Sequence, residues 1–370
     1  MKNSCYKKTL VLGIIVLLIG IAVAPSTAKL IDTKISINHK LSSIPLINRK
    51  IIYVDDNNTE GPWDGTIEHP YQYIKQGVNN ANNSDTVFVF SGYYPEGAIT
   101  IEKSINIIGE DKNTTIVDGY GYYVVFLFKG YNVKLSGFTI QNAYQYNRYG
   151  SGVCIYSSNH IICGNIIQNN ACTGIGLDWS HNNHIYDNII RYNGLYSPPL
   201  HDHQAGISGW ASDNNIIEYN IFENNNYGIY FLGSWGGDTN FICNNVIKNS
   251  SKAGIFLART NKNEIKRNHI VKNYNGVILW NARSTRVTKN NIYNNNNLDA
   301  YFVRLQNNRW RNNYWGAKIP RIKAIEGRIQ IPIGIDPLTF EFIYKNIDWI
   351  QYDWCPARNP YNINFSGVWI

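Results

Sequence analysis

The sequence predicts an all-β fold, a single-stranded parallel β-helix solenoid, from three observations. A glycine-led apolar motif recurs through the middle of the chain, mostly at intervals of about 22 residues, which lies in the range typical of solenoid repeats. Within each copy, apolar and polar residues alternate over a few positions only, as in short half-buried strands. The chain also contains about 52 asparagines, a residue favoured in tight turns and depleted from strands.

The composition excludes several other classes of protein. Charged residues make up only 16% of the chain, and it has 27 Tyr and 10 Trp. Disordered chains are poor in aromatic residues, so the composition excludes disorder. With 30 Gly in 370 residues, a collagen-like repeat is excluded as well. The formal net charge of +8 indicates a mild preference for anionic partners.

The N-terminus is predicted to direct export. Lys2, Lys7 and Lys8 precede the apolar run Leu10–Ala24, and a small-residue cleavage site ends at Ala28. We expect a signal peptide over residues 1–28 and a linker over 29–50, and therefore a secreted, cell-surface or periplasm-like location. An uncleaved signal would be the one membrane anchor, and export disfavours a nucleic-acid partner. The five remaining cysteines, an odd number without a CxxC pair, indicate neither a zinc site nor a full disulfide framework.

Residues 51–120 are predicted to form the N-terminal cap and the first rungs. A short helix over Pro70–Ala81 is expected where a solenoid needs a cap. Five alternating runs are predicted strands: Ile51–Asp55, Thr86–Phe90, Ala98–Ile101, Ile105–Ile108 and Ile116–Asp118.

The β-helix repeats are predicted over residues 121–316, with about eight or nine rungs of about 22 to 24 residues in the whole solenoid. Because side chains alternate across a strand, the apolar residues one and three positions after each motif glycine are expected to point inward and stack into core columns. Six copies begin at Gly152, Gly174, Gly206, Gly228, Gly254 and Gly276.

One asparagine recurs after each copy, in an element of the form apolar-x-x-Asn-x-apolar. At the same corner of every rung it is expected to adopt left-handed backbone, with a side-chain amide that donates to the rung on one side and accepts from the other. The predicted asparagine ladder consists of Asn165, Asn188, Asn220, Asn245, Asn268, Asn290 and Asn313.

The repeat stops after Asn313-Tyr314-Trp315-Gly316, and five prolines fall in the last 54 residues. Because proline interrupts regular strands, residues 317–370 are predicted to be an irregular C-terminal cap, or a flap that lies along the solenoid.

These rungs resemble the right-handed parallel β-helix repeat proteins of the carbohydrate-binding and sugar-hydrolase (pectin-lyase-like) type, most closely the NosD-like members. The resemblance covers roughly Ile51 to Gly316 and implies a right-handed fold. It does not select an activity, because this scaffold hosts lyases, hydrolases, epimerases, binders and surface proteins. NosD-like proteins are associated with copper delivery to nitrous oxide reductase. No copper ligand is carried over, because the mature chain has no methionine to supply a soft thioether.

In β-helices of this type, the strand that begins Gly-Ile-x-Leu lines the substrate groove. Alternation predicts two outward columns on it: Cys154, Gly176, Ser208, Tyr230, Phe256, Ile278 and Phe302 in one, and Tyr156, Asp178, Trp210, Leu232, Ala258, Trp280 and Arg304 in the other. The candidate sugar-stacking residues are Tyr156, Trp210, Tyr230, Phe256 and Trp280, unless the C-terminal segment covers them. Asp178 is the only carboxylate in these columns, whereas glycoside hydrolysis needs a pair, which counts against a hydrolase.

The largest irregularity in the repeat is an insertion between Asn193 and Gly206. We expect it to lie over the same edge of the face as Asp178 and Trp210, where loop insertions concentrate function. His201 and His203, with Asp178, are the candidate acid/base residues. No cofactor is expected to be required, but His201, Asp202 and His203 would suit a divalent metal such as calcium or copper. An incidental polar loop is the alternative.

A basic cluster follows the groove strand in the last three rungs and contains Arg259, Lys262, Arg283, Arg286, Arg304, Arg309 and Arg311. Arg259, Arg283 and Arg304 are the candidates for binding carboxylated or sulfated sugars or phosphate polymers, since guanidinium groups bind oxyanions well. The alternative is a basic edge that keeps the solenoid soluble.

The sequence thus predicts an exported β-helix protein that binds a cell-surface or extracellular polymer, most simply a polysaccharide, along an aromatic strand face. Three alternatives stay open. They are a lyase or epimerase that acts on uronic-acid polymers, a NosD-like copper-delivery accessory protein, and a purely structural surface protein.

Overall fold

The computed structural model describes residues 49–144, 150–195, 204–233, 239–304, 306–316, 322–335 and 342–363. They form a right-handed parallel β-solenoid of about ten turns with almost no helix, which confirms the predicted fold class. The count slightly exceeds the predicted eight or nine rungs. Within the described ranges, no helix is both long enough and apolar enough to cross a bilayer.

A typical turn contains three short strands, each hydrogen-bonded in parallel to the equivalent strand of the next turn. Strands are numbered in chain order. The front strands, of which β10 to β25 carry the glycine motif, are β4 (Ile99–Ile101), β7 (Val124–Phe128), β10 (Ser151–Ile155), β13 (Thr173–Asp178), β16 (Ala205–Trp210), β19 (Tyr227–Leu232), β22 (Ala253–Ala258), β25 (Asn275–Trp280) and β28 (Leu298–Val303).

The second and third strands of each turn complete the wall of the solenoid. The second strands are β1 (Ile51–Val54), β2 (Thr86–Val89), β5 (Asn106–Gly109), β8 (Lys134–Ser136), β11 (Ile161–Cys163), β14 (His184–Tyr186), β17 (Ile216–Glu218), β20 (Phe241–Cys243), β23 (Glu264–Lys266), β26 (Arg286–Thr288) and β29 (Arg309–Arg311). The third strands are β3 (Gly92–Tyr94), β6 (Thr115–Asp118), β9 (Thr139–Gln141), β12 (Ile166–Gln168), β15 (Ile189–Arg191), β18 (Ile221–Glu223), β21 (Val246–Lys248), β24 (His269–Val271) and β27 (Asn291–Tyr293).

Inward side chains of the front strands form the predicted core columns. Ile175 pairs in register with Val153 on one side and with Ile207 on the other, and all three are fully buried. Where the motif has Gly209 instead of a large residue, the ring of Phe231 from the next rung fills the space. Apolar burial along the whole axis therefore holds the stack of short strands together.

The short N-terminal helix α1 spans Ile74–Asn80, within the predicted Pro70–Ala81. Ile74 and Val78 are buried, and Gly77 lies so close to Val54 that a methyl group would not fit between them. The buried Glu96 carboxylate accepts hydrogen bonds from the backbone N–H of Ile74 at 2.6 Å and of Lys75 at 3.1 Å. It thereby satisfies donors that a helix start leaves free.

All seven predicted ladder asparagines occupy one corner and are buried. The backbone N–H of each of the first six donates to the side-chain oxygen of the asparagine in the next rung; Asn188 to Asn220 and Asn245 to Asn268 both measure 3.0 Å. The predicted left-handed conformation was wrong, however, since it belongs to the residue before each asparagine, such as Tyr219 or Arg267. That residue makes the bend, and asparagine is needed only for the inward amide.

Two further ladders occupy the other corners. One contains Asn183, Asn215, Asn240, Asn263 and Asn308, and the other contains Asn170, Asn193, Asn225, Asn273 and Asn295. The sequence carries their signal, since asparagines recur five residues before and after the ladder that was predicted, as in Asn183, Asn188 and Asn193.

The C-terminal segment differs from the irregular cap that its prolines predict. Within it, β30 (Lys323–Ile335) and β31 (Phe342–Asp353) pair as a long antiparallel hairpin. Gly327 pairs with Phe302 of the last front strand, so the hairpin caps the end of the solenoid. Regular pairing survives because Pro332 lies beside a shift in strand register, where a missing N–H is tolerated.

Candidate functional site

The front face carries a column of outward side chains at the ends of its strands. Asp178 pairs in register with Trp210, and Ala258 pairs with Trp280. The side chains of Tyr156, Trp210 and Trp280 are 44%, 47% and 46% exposed. The described part of the C-terminal hairpin therefore leaves these three rings open to solvent.

The first outward column of the front strands, which contains Tyr230 and Phe256, is largely buried. Tyr230 is only 5% exposed, and its ring stacks on that of Phe256 at 5.2 Å and 2°. Tyr227 packs against both rings, at 5.2 and 5.5 Å. Tyr230 thus offers a ligand little surface, in contrast to its predicted role, while Phe256 is half-buried.

The register of the last front strand also differs from the prediction. Tyr301, not Phe302, pairs with Ile278 in the outward column, and Phe302 is fully buried beside Leu279. No glycine marks the start of this strand, so spacing alone misplaced it by one residue. Arg304 follows the strand, in a left-handed turn.

Asp178 lies among aromatic and cysteine side chains. Trp210 is its neighbour in the next rung, and the exposed Trp179 ring meets Trp210 edge-on at 6.1 Å. Asp178 Oδ1 is buried and has no hydrogen-bond partner in the described part of the chain. Burial raises the pKa of the carboxyl group. Burial, and then the Asp178 charge, raise the pKa of Cys154 to about 11, so its thiol stays protonated.

The sequence predicted that the insertion lies over the edge of the face that carries Asp178 and Trp210. The insertion ends instead at the opposite end of β16. Gln204, its last residue that the structure describes, precedes Ala205 at the start of β16, whereas Trp210 ends that strand. Five residues of extended strand separate the two ends by about 17 Å. His201, Asp202 and His203 lie outside the described residues, so their catalytic and metal-binding roles stay predictions.

A tyrosine-lined cleft near the insertion was not predicted. Tyr120, Tyr144 and Tyr192 line a space of about 440 Å³ together with Leu195 and Asn169. The three tyrosines are 84%, 51% and 43% exposed. Each tyrosine lies shortly after a third strand of a different turn (β6, β9 and β15), so the stacking of turns brings them together at one corner.

A copper site needs several nitrogen, sulfur or oxygen side chains that converge on one point. Within the described ranges, no group of three or more His, Cys, Asp or Glu side chains converges as metal ligands would. Glu218 contacts His184 Nε2 at 2.9 Å and Cys243 Sγ at 3.6 Å. Burial, followed by the Glu218 charge, raises the pKa of Cys243 to about 12, which opposes the thiolate that a metal requires. Glu218, His184 and Cys243 therefore do not fit a copper ion.

The predicted arginines meet at the turn that follows the front strands. Arg259, Arg283 and Arg304 line one cleft of about 430 Å³, which we call the arginine cleft. Arg304 Nε donates to Gln330 Oε1 at 2.8 Å, and its guanidinium lies 4.8 Å from the centre of the Tyr344 ring. The hairpin thus reaches this edge of the face and orients one of the arginines.

Comparison with known families supports this architecture. Residues 198–319 match the model of NosD, described as a periplasmic copper-binding protein, and residues 104–236 match the model of a right-handed β-helix region. No curated protein sequence matches the chain.

Solved structures are similar to this chain at low sequence identity. The Dettilon tailspike protein is 15% identical, with a TM-score of 0.53 over 77% of this chain and 64% of its own, so this chain spans less than two thirds of the tailspike. The A-module of a mannuronan C-5 epimerase from Azotobacter vinelandii is 13% identical (TM-score 0.47, 71% and 86% covered). A pectate lyase is 15% identical (TM-score 0.46, 76% and 74% covered). The chain has the fold of the right-handed parallel β-helix repeat proteins, and its residues 198–319 are similar to NosD.

Proposed function

We propose that the chain is an exported surface protein that binds a polysaccharide along its front face. The observation that carries the proposal is the open column in which Trp210 lies beside Asp178, with Tyr156 at one end and Trp280 at the other. Aromatic rings stack on the apolar faces of sugars, and a carboxyl group between them provides a hydrogen-bonding group for hydroxyls.

The spacing of the column favours a chain of sugars over a single sugar. Trp210 and Trp280 are three rungs apart, or about 14 Å at the usual distance between strands. Leu232 and Ala258 lie between them and leave a floor without charges. Export of the chain is supported by its predicted signal peptide and by the periplasmic location in the NosD description.

Retention of the mature protein on insoluble polysaccharides tests the proposal. Trp210→Ala and Trp280→Ala are expected to abolish retention on the polymer that binds. Trp349→Ala is the matched control, because Trp349 is also 47% exposed but lies on the hairpin. Retention that survives both face variants, or that falls equally in the control, would contradict the proposal.

A second candidate function is a lyase or epimerase that acts on uronic-acid polymers, with Asp178 as the base. The raised pKa of Asp178 makes its carboxylate a stronger base than an ordinary one, and its unpartnered oxygen is not engaged by another described side chain. Incubation with uronate polymers would then produce unsaturated ends that absorb in the ultraviolet, or epimerised sugars, and Asp178→Asn would abolish either product. If the wild-type protein yields neither product, this candidate fails.

A further inference from the structure

The arginine cleft is built by one turn repeated in three successive rungs. Arg259 follows Ala258, and its N–H donates to Trp280 O at 2.9 Å; Asn281 follows Trp280, and its N–H donates to Val303 O at 2.9 Å. Arg283 pairs with Asn261 of the rung before it. The solenoid therefore brings Arg259, Arg283 and Arg304 together from consecutive rungs, about 4.8 Å apart along the axis.

These three guanidinium groups have no carboxylate partner in the part of the chain that the structure describes. Arg283 and Arg304 use Nε to donate to the neutral side chains of Gln306 and Gln330. Their terminal N–H groups then have no protein acceptor within the described ranges. The acids nearest in sequence to Arg259 and Arg304 have other partners, since Glu264 pairs with Lys266 at 3.3 Å and Asp299 accepts a hydrogen bond from the Asn295 side-chain amide at 2.9 Å.

The positive charge continues into a neighbouring cleft of about 780 Å³ around the same turn. Lys262, Arg286 and Arg309 line it, one from each of the same three rungs, together with Glu264. A row of cations on one edge repels itself unless anions neutralise it. Guanidinium groups with free terminal N–H groups bind planar or tetrahedral oxyanions through paired hydrogen bonds.

The cleft adjoins the front face, because Trp280 on that face is followed directly by Asn281 in the cleft. We infer that the polysaccharide bound by the front face is anionic, and that the arginine cleft binds its carboxylate or sulfate groups. The inference rests on the proposed function and names the class of its ligand. Carboxylate and sulfate share the chemistry that the cleft recognises, so the test separates them.

Four soluble polymers serve as probes of the full mature chain. Polygalacturonate carries carboxylates and dextran sulfate carries sulfates, while dextran and galactan are uncharged references. One of the two charged probes is expected to bind more tightly than both references, with an affinity that falls as salt rises. The identity of that probe assigns the oxyanion.

A double variant tests the cleft itself. Arg259→Gln with Arg283→Gln is expected to weaken binding of that probe by about tenfold or more, since hydrogen bonds from charged donors are lost. Arg267→Gln is the matched control for position 259: both arginines are exposed and have φ of 54°, but Arg267 lies at another corner and outside the arginine cleft. The control is expected to retain wild-type affinity.

The outcomes separate this inference from the proposed function. Equal binding of charged and uncharged probes, or an equal loss in the double variant and the control, overturns the inference; if Trp210→Ala still abolishes that binding, the proposed face stands. A loss in the arginine variant without a loss in Trp210→Ala and Trp280→Ala supports the cleft and overturns the aromatic face. Binding of no probe at all counts against both.

Discussion

Asp353 accepts hydrogen bonds from the backbone N–H of Asn313 at 2.9 Å and from its side-chain amide at 3.1 Å. These are the two contacts that each ladder asparagine makes with the next rung, as in Asn290 to Asn313. The C-terminal hairpin thus ends the ladder with a carboxylate that replaces the next asparagine. Asp353 is fully buried and also accepts from Trp315 Nε1 at 3.3 Å.

Replacement of Asp353 by alanine is expected to destabilise the protein by about 3 kcal/mol, because several buried donors lose their only or best acceptor. Urea unfolding followed by circular dichroism measures the change. Asp348→Ala is the control, since that side chain is 91% exposed in its pair with Arg328. A loss of equal size in both variants would show that Asp353 does not act as the terminal acceptor of the ladder.

The second ladder is interrupted at Thr285, which pairs its N–H with Asn308 but has no amide to offer Asn263. Asn263 Nδ2 is consequently buried without a partner in the described part of the chain. Thr285→Asn is expected to stabilise the fold by about 1 kcal/mol, since it restores one buried hydrogen bond at similar side-chain volume. Thr288→Asn, three residues along and outside the ladder, is expected to give no gain. An unchanged urea midpoint for Thr285→Asn would show that the missing amide at position 285 does not cost stability.

Gly209 lies opposite the Phe231 ring, and a Cβ atom there would come within 2.2 Å of it. Gly209→Ala is therefore expected to cost about 1–3 kcal/mol of stability through overpacking. Phe231→Leu in the Gly209→Ala background is expected to recover part of the loss. If the free energies of unfolding of the two changes simply add, the residues do not share this space in the way the structure indicates.

Asp178 makes the stability of the fold depend on pH. Because burial raises the pKa of its carboxyl group above the ordinary value of 3.8, the folded state favours the protonated form. That contribution is fully present below pH 3.8 and is lost as the pH rises through the raised value. Asp178→Asn is expected to match the wild type in acid and to exceed its stability at neutral pH. Unfolding free energies measured from pH 3.5 to 8 check this, and a difference independent of pH would contradict it.

Much of the scaffold was predictable from local pattern. The alternation of residues such as Val153 and Ile155 identified the front strands, and the spacing of Asn188 and Asn220 identified one ladder. Both signals are local, because each rung repeats the same short-range preferences. The other ladders have equally regular spacing, and the same reasoning reaches them.

The candidate site was less predictable, because its residues meet only through stacking. The structure shows that Trp210 is exposed and Tyr230 is buried, although strand alternation predicts that both side chains point outward. Register decided that Tyr301 and not Phe302 continues the outward column. A shift of one residue in a single rung reverses which face a side chain occupies, and sequence spacing cannot resolve it when the turn before the strand lacks a glycine.

The sequence by itself determined the repeat, the inward apolar columns and the corner asparagines, since each depends on the period of a strand and turn. Only the tertiary structure decided which outward rings stay open, that three arginines of separate rungs line one cleft, and that Asp353 caps the ladder across 40 residues. These relationships depend on how turns stack and on where the hairpin pairs. The repeat spacing placed the three arginines in one basic cluster, but it could not show that they line a single cleft, and no spacing related Asp353 to Asn313.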